Sequence, residues 1–430
     1  MLEQRTTLNT SERAGRELPA MIRSLRHRNF RLFWSGQLIS LIGTWMQALA
    51  LQWLVYQITS SALAMGTVAA LTSLPVLLIS PFAGVLVDRY SKRGVIIAAQ
   101  TVAMLAAFTL ALLTFGDIVQ YWHILALAVI NGLVNAVDMP ARQAFTSEVV
   151  ADRADLMNAI ALNSSMFNAA RVVGPALAAL LVSAVGLGWA FTLNGVSFIA
   201  VLAGLMMMQA LPATKPIDKN ISPLREFIDG SRYALSTPLI RTILLLVLVP
   251  SILGFGYVTL LPIFADQILT SGVITNGATR LGIIMMANGV GALIGGLRIA
   301  YAGPQVNRRT LLLRGAFGFG AGICLLAINS SFWLALPIML ITGFSMITFL
   351  ATANTVLQTT APDHLRGRVM GFYVMTLVGL GLVGSLQAGF VAEHWGAPVA
   401  TGIGGAACIV SALLAIRSRA LHELAAKPEQ

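Results

Sequence analysis

The stretch that decides the fold is NFRLFWSGQLISLIGTWMQALALQWLVYQITSSALAMG, residues 29–66. It is the first of a series of apolar stretches that follow one another from Phe30 to Ile416, with charge confined to the short joints between them. A helix that rises 1.5 Å per residue needs about 20 apolar residues to cross a bilayer core. The pattern therefore predicts an all-α integral membrane protein.

Twelve such stretches can be counted, and most joints are only a few residues long, so neighbouring helices must run antiparallel. We expect membrane spans at 30–57, 62–87, 94–115, 121–147, 155–185, 189–210, 240–268, 278–302, 310–328, 331–357, 366–391 and 397–418.

The composition excludes most other classes of protein. Apolar residues make up 57% of the chain and charged residues 10%, against about 25% charged residues in soluble domains. No phosphate-binding loop of the G-x-x-x-x-G-K-[ST] type, no cluster of metal ligands and no nucleophile–base pair is visible, so we expect neither an enzyme nor a cofactor. Cys324 and Cys408 lie inside spans and do not indicate a disulfide framework.

The net charge of +11 is a topology signal and not a nucleic-acid footprint. Of 28 basic residues, all except Arg171 and Arg280 fall on one side if the chain crosses the membrane twelve times. The positive-inside rule assigns that side to the cytoplasm and places both termini there.

One joint differs from the others and divides the spans into six and six. Residues 211–239 are polar and contain proline, while Leu224, Phe227, Ile228 and Leu235 recur at helical spacing. We expect a cytoplasmic linker containing an amphipathic surface helix. The predicted organisation is a cytoplasmic tail (1–29), an N-terminal six-helix bundle (30–210), the linker (211–239), a C-terminal six-helix bundle (240–418) and a second cytoplasmic tail (419–430).

The two halves also echo one another. VVADRADLMNAIALN (149–163) follows span 4 and TAPDHLRGRVMGFYV (360–374) follows span 10. Repeated six-helix halves are a transporter design in which the substrate site lies at the midplane between the halves.

The joint between spans 2 and 3 reads Gly84-Val-Leu86-Val-Asp88-Arg89-Tyr-Ser-Lys92-Arg93. It resembles the G-x-L-x-D-R-x-G-R-R loop of the major facilitator superfamily, except that Ser91 stands where that family has Gly. The matching place in the second half (295–309) keeps Gly296, Arg308 and Arg309 but lacks the Asp. The resemblance implies a gating loop; the alternative is that these charges only set the topology.

Two further strings narrow the resemblance: DMPARQAFTSEVV (138–150) and NAIALNSSMFNAARVVGPALAALL (158–181). Together with residues 29–66 they resemble the drug- and siderophore-exporting branch called transmembrane secretion effectors. What this implies is a monomeric secondary exporter of the bacterial inner membrane that exchanges protons for small molecules. Gly174-Pro175 resembles the antiporter motif of span 5, although Ala178-Ala179 replaces its trailing glycines.

Asp138 and Arg142 are four residues apart and share a helix face near the cytoplasmic edge. We predict that they form a network with Asp88, Arg89 and Arg93 that stabilises the outward-facing state; the alternative is a static cluster that fixes helix ends. The candidates for proton coupling are Asp88, Asp138 and Asp266.

Arg171 lies well inside span 5, where a charged side chain is costly unless it faces a cavity or a partner. Two roles are open: Arg171 binds an anionic substrate group, or it has a structural role and pairs with a carboxylate or with backbone carbonyls near the Gly-Pro break. Other intramembrane polar residues extend the set of candidates for a substrate cavity: Gln47, Asn135, Asn168, Arg171, Asn288 and Gln387.

The function we predict is proton-coupled efflux of small amphipathic molecules by alternating access of the two halves. The alternatives are an importer or a lipid transporter of the same fold, and, from a different class, a membrane scaffold or sensor that transports nothing. The expected partners are membrane lipid, a small-molecule substrate and protons, without nucleic acid.

Overall fold

The computed structural model describes residues 20–150, 152–209, 223–301 and 306–426. Within these ranges the chain is helical and has no strand. The helices are α1 (Arg28–Thr59), α2 (Ala62–Arg89), α3 (Lys92–Phe115), α4 (Tyr121–Val149), α5 (Arg153–Val185), α6 (Leu187–Met206), α7 (Pro223–Ser236), α8 (Pro238–Val249), α9 (Tyr257–Ile263), α10 (Gly277–Tyr301), α11 (Arg308–Ile328), α12 (Phe332–Thr360), α13 (Asp363–Val374), α14 (Gly381–Trp395), α15 (Ala397–Ile416) and α16 (Arg419–Ala426).

Twelve helical segments of the described chain are long and apolar enough to cross a membrane, as the sequence predicted. Two of these spans are interrupted by π-helical turns. The seventh, Pro238–Ile268, consists of α8 and α9 with turns at Pro250–Gly254 and Phe264–Ile268. The eleventh, Leu365–Trp395, joins α13 to α14 through the turn Met375–Gly379. Such turns are frequent at functional sites, because they shift the register of the side chains that follow.

Corresponding joints of the two halves use the same local chemistry. Gly186 joins the fifth span to the sixth with φ +95°, and Gly396 joins the eleventh to the twelfth with φ +89°. Both backbones are in the region that only glycine adopts without strain. This pairing at equivalent places accords with the two pseudo-symmetric six-helix bundles of the fold.

The most extensive contacts between the bundles are those of α2 with α14 and of α5 with α10, where small residues allow the backbones to approach closely. A Cβ added at Gly389 would lie 2.7 Å from the Ala62 carbonyl oxygen. A Cβ added at Gly289 would lie 2.9 Å from the Arg171 carbonyl oxygen. Neither helix pair could keep this spacing with a larger residue at the glycine.

We call the side where α1 begins and α15 ends the terminal side, and the other side the opposite side. Toward the opposite side one apolar core is continuous across both bundles, and it includes Leu49 and Phe191 of the first half and Phe264 and Phe332 of the second. Toward the terminal side each bundle has a separate core. The two bundles are therefore joined on the opposite side and parted on the terminal side.

The α5–α10 pair shows the same divergence. A Cβ at Gly282, near the opposite side, would overlap Ala179 of α5. A Cβ added at Gly296, toward the terminal side, would have the Asn168 amide nitrogen as its nearest atom of α5, 4.0 Å away.

The linker contains helix α7, whose bounds fall within the predicted amphipathic segment. Gly230 of α7 packs against the Arg368 side chain of α13, while Ile228 and Leu235 are exposed. The Leu224 and Phe227 side chains lie outside the described part of the chain, as do the tail residues 1–19 and 427–430 and the linker residues 210–222.

Candidate functional site

Arg171 lies near the middle of α5, and its side chain reaches from the first bundle to the second. Its Nη2 donates to the Asn288 side-chain oxygen of α10 at 2.8 Å and approaches the Met346 sulfur of α12 at 4.0 Å. The guanidinium carbon lies 5.7 Å from the centre of the Trp45 ring of α1, within cation–π range. Side chains from four helices of both bundles therefore meet at this point.

Asn288 is held by the second bundle alone. Its amide nitrogen donates to the Tyr257 hydroxyl and to the Met339 carbonyl oxygen, both at 3.3 Å. Because both donor hydrogens are used, the amide oxygen is fixed in the direction of Arg171. Tyr257 follows the first π-helical turn of the seventh span and is buried. Nothing in the sequence distinguished this tyrosine as a positioning residue.

Arg142 and Asp138 form an ion pair one turn apart on α4, as their spacing predicts. Asp138 is buried and accepts a hydrogen bond from the Gln100 amide of α3 at 3.1 Å. Arg142 also donates to the Gln37 side-chain oxygen of α1. The pair thus belongs to a polar cluster inside the first bundle, in which sequence reasoning had not placed Gln37 or Gln100.

Lys92 and Arg93, in the joint between α2 and α3, contact neither Asp138 nor Arg142. Lys92 pairs with Glu148 at the end of α4, and Arg93 donates to the Met206 carbonyl oxygen at the end of α6 at 3.2 Å. Ser91 caps α3 by accepting from the Gly94 amide at 3.2 Å, a role that glycine could not fill. The side chains of the remaining signature positions lie outside the described residues: Gly84, Leu86, Asp88 and Arg89.

Arg93 therefore donates a hydrogen bond to the C-terminus of α6, whereas Asp138 accepts one from Gln100 and Arg142 donates one to Gln37. The structure does not bring these three predicted members of the network into one cluster.

The remaining cavity candidates differ in their surroundings. Gln47 accepts from the Asn194 amide of α6 at 2.7 Å, which places it in a contact within the first bundle. Asn168 donates to the Ser164 carbonyl oxygen of its own helix at 2.8 Å. Asn135 is exposed and Gln387 is partly buried, each without a hydrogen bond among the described residues. Of these four, only Asn168 lies one turn from Arg171 and on the same helix face.

Gly174 and Pro175 contribute close packing on both sides of α5. A Cβ at Gly174 would lie 2.9 Å from the Ile42 carbonyl oxygen of α1. The Pro175 carbonyl oxygen lies 2.9 Å from the Cβ position of Gly282 in α10. The glycine thus brings α5 against α1, and the proline carbonyl faces the second bundle.

Two carboxylates form cross-bundle contacts at the opposite side. Asp266 accepts from the Tyr56 hydroxyl of α1 at 2.7 Å, and Gln267 donates to the same hydroxyl at 2.9 Å. Glu393, at the end of α14, accepts from the Ser61 hydroxyl at 3.0 Å and from the Leu63 amide at 3.1 Å. Glu393 therefore caps the first turn of α2 from the other bundle.

A depression of about 380 Å³ lies on the same side. Its lining includes Trp53, Gln57, Gly186 and Asn276 but none of the side chains that surround Arg171.

Comparisons with known proteins agree with this architecture. A family model described as transmembrane secretion effector matches residues 20–429. The multidrug efflux pump Tap of Mycolicibacterium fortuitum is 28% identical over 82% of this chain and 87% of its own length. The staphyloferrin A transporter of Staphylococcus aureus is 26% identical over 85% of this chain and 90% of its own length. A crystal structure of a mutant of the nucleoside transporter NupG superposes with a TM-score of 0.73 at 12% identity, covering 92% of this chain and 99% of that one.

Proposed function

Because the chain belongs to the transmembrane secretion effector family, we propose that it exports small amphipathic molecules across a bacterial inner membrane by proton-coupled alternating access. Each curated relative named above is a transporter by name, and one is an efflux pump. We propose that the working unit is a monomer with its substrate site between the bundles.

The observation that carries the proposal is the unequal packing of the two sides. One apolar core joins the bundles on the opposite side, and separate cores remain on the terminal side. Bundles that are joined on one side and separated on the other correspond to one of the two states that alternating access requires. Rocking of the bundles about the α2–α14 and α5–α10 pairs would produce the other state.

The sidedness follows from charge. The joints of the opposite side, residues 60–61, 116–120, 186, 269–276, 329–331 and 396, contain no Lys or Arg. Basic residues such as Lys92, Arg93, Arg308 and Arg417 are at the terminal side. By the positive-inside rule this distribution supports a cytoplasmic terminal side. In the proposed cycle the structure is then the state that opens to the cytoplasm.

The carboxylates that form cross-bundle contacts suit proton coupling. Asp266 and Glu393 accept hydrogen bonds that join the bundles on the opposite side. A proton reaching either carboxylate from outside would turn an acceptor oxygen into a hydroxyl and weaken that contact. Asp88 and Asp138 remain candidates on the cytoplasmic side.

The test compares small molecules inside and outside cells with and without the protein, at equal growth. Export predicts a compound that accumulates inside and disappears outside when the protein is absent. Dissipating the proton gradient should produce the same redistribution in cells that contain the protein. A compound depleted inside the deletion strain would instead show an importer, and no difference for any compound would remove the proposal.

A further inference from the structure

Arg142, Arg171 and Arg280 lie inside membrane spans, and the partners of their side chains differ. Arg142 is paired with Asp138. Arg280 is buried and donates to four backbone carbonyls, those of Ala265, Asp266, Ile274 and Thr275. The neighbours of the Arg171 guanidinium are the Asn288 amide oxygen and the Met346 sulfur, and no carboxylate of the described chain lies within 4.0 Å of it. Its positive charge is not neutralised.

Most donors of Arg171 also remain free. A guanidinium has five N–H groups, and the contacts of Arg171 with Asn288 and Met346 both use Nη2. Its Nε and Nη1 atoms make no hydrogen bond among the described residues. Unlike the fully enclosed Nε of Arg142, both atoms keep some accessible surface, so a bound partner can reach them. A cation at this depth is costly unless a partner compensates it.

We propose that the transported molecules carry an anionic group, a carboxylate or an equivalent oxyanion, which binds to the Arg171 guanidinium. This inference rests on the proposed export function and names the substrate class of the same site. An oxyanion accepts two parallel N–H bonds from the guanidinium fork, a geometry that a lysine cannot offer. Each edge of the fork combines Nη2 with either Nε or Nη1. Asn288 takes one of the two Nη2 hydrogens, so an oxyanion can use the other Nη2 hydrogen together with the free donor beside it.

The side chains around Arg171 indicate what the rest of the transported molecule should be. Trp45 lies beside the guanidinium, and Phe167 packs edge-on against Trp45 with ring centres 5.7 Å apart. Met346 adds an adaptable apolar contact. An aromatic or apolar body attached to the anionic group fits these side chains.

The face of α5 between Arg171 and the terminal side is polar and uncharged. Ser164, Asn168 and Arg171 recur on one face of α5, and Ser164 and Ser165 are exposed. An anion entering here meets hydroxyl and amide donors before the guanidinium. A cation meets an uncompensated like charge, which selects against it.

The direct test measures binding to the purified full-length protein in lipid nanodiscs. Three probes share one aromatic body: 2-naphthoate, 2-naphthamide and 2-naphthylmethylammonium. We expect 2-naphthoate to bind at least about 10-fold more tightly than the others. Arg171→Gln should weaken its binding about 10- to 100-fold, and Arg171→Lys, which keeps the charge, should retain the preference for the anion with lower affinity.

Arg298→Gln is the matched control. Arg298 is exposed on α10, with its guanidinium carbon 5.6 Å from the centre of the Phe344 ring. Its replacement removes the same charge from an exposed position on α10 but leaves Arg171 in place, so naphthoate affinity should stay within about twofold. Thermal melting of each variant confirms that it is folded.

Equal affinity for the three probes, no binding of naphthoate, or unchanged naphthoate affinity in Arg171→Gln would overturn the inference. The same variants, tested in cells, separate this inference from the export function. If cells export only cationic or neutral compounds, and Arg171→Gln exports them at the normal rate, the anion inference falls and export stands. If no compound responds to deletion, export falls and the binding preference alone decides the ligand class.

Discussion

Replacing Glu393 should loosen the opposite side of the transporter. Glu393 accepts bonds from the Ser61 hydroxyl and the Leu63 amide, both on the other bundle. Net hydrogen bonds contribute about 0.5–1.5 kcal/mol each, and an anion at a helix N-terminus about 0.3–1 kcal/mol. Because Glu393 is exposed, we discount the sum for solvent screening to about 1–2 kcal/mol. This favours the opened state about 5- to 30-fold.

The assay uses a reporter cysteine at Ala278, which is 1% exposed in the core that joins the bundles. The background carries Cys324→Ala and Cys408→Ala. A membrane-impermeant maleimide should label Ala278→Cys about 5- to 30-fold faster in Glu393→Ala, since labelling follows the population of the open state. Glu393→Gln, which retains a neutral acceptor, should fall between Glu393→Ala and the parent protein.

Asp117→Asn is the control for surface charge. Asp117 lies on the same side, in the turn after α3, with φ +52°, a conformation that asparagine tolerates. If the labelling rate does not change in Glu393→Ala, or if Asp117→Asn raises it equally, then the contacts of Glu393 do not hold the two bundles together.

Three other substitutions test the packing and the charge clusters. Asp138→Asn leaves Arg142 unpaired inside the first bundle and should lower stability by about 3–5 kcal/mol, read as a reduced melting temperature that the double variant Asp138→Asn/Arg142→Gln partly restores. Gly66→Val would force α2 away from the Ser385 carbonyl and should abolish export while the protein still inserts, measured by transport at equal protein level. Asp155→Asn removes the buried carboxylate of α5 that pairs with Arg23, Arg26 and His27 just before α1, and should speed tryptic cleavage at Arg23 and Arg26 without moving the cut sites in the linker.

The local elements could be read from the sequence because each depends on neighbours along the chain. The twelve spans follow from apolar length alone, and the Asp138–Arg142 pair follows from helical spacing. The linker helix was visible as a periodic apolar stripe. Arg171 could be singled out because a charge inside an apolar run is an anomaly by itself.

The contacts that define the site join residues far apart in sequence. Neither Asn288 as the partner of Arg171 nor Tyr257 as the support of Asn288 could be derived from spacing, since π-helical turns set the register of the seventh span. Spacing also gave no sign that Arg93 donates to the Met206 carbonyl oxygen, which lies at the end of α6 and lacks an intrahelical partner. The Asp88 and Arg89 side chains lie outside the described residues, so the network proposed for Asp88, Arg89, Arg93, Asp138 and Arg142 stays a prediction.

Apolar length and the cost of a charge in the bilayer are properties of each stretch of chain, so they are enough to predict a twelve-helix membrane protein, its division into halves and the unusual position of Arg171. The contact of Arg171 with Asn288 across the bundle interface, the capping of α2 by Glu393 and the single apolar core that joins the halves on one side appear only in the folded protein. These arrangements depend on how glycine-lined helices approach one another in space, and that approach is fixed by packing between distant segments.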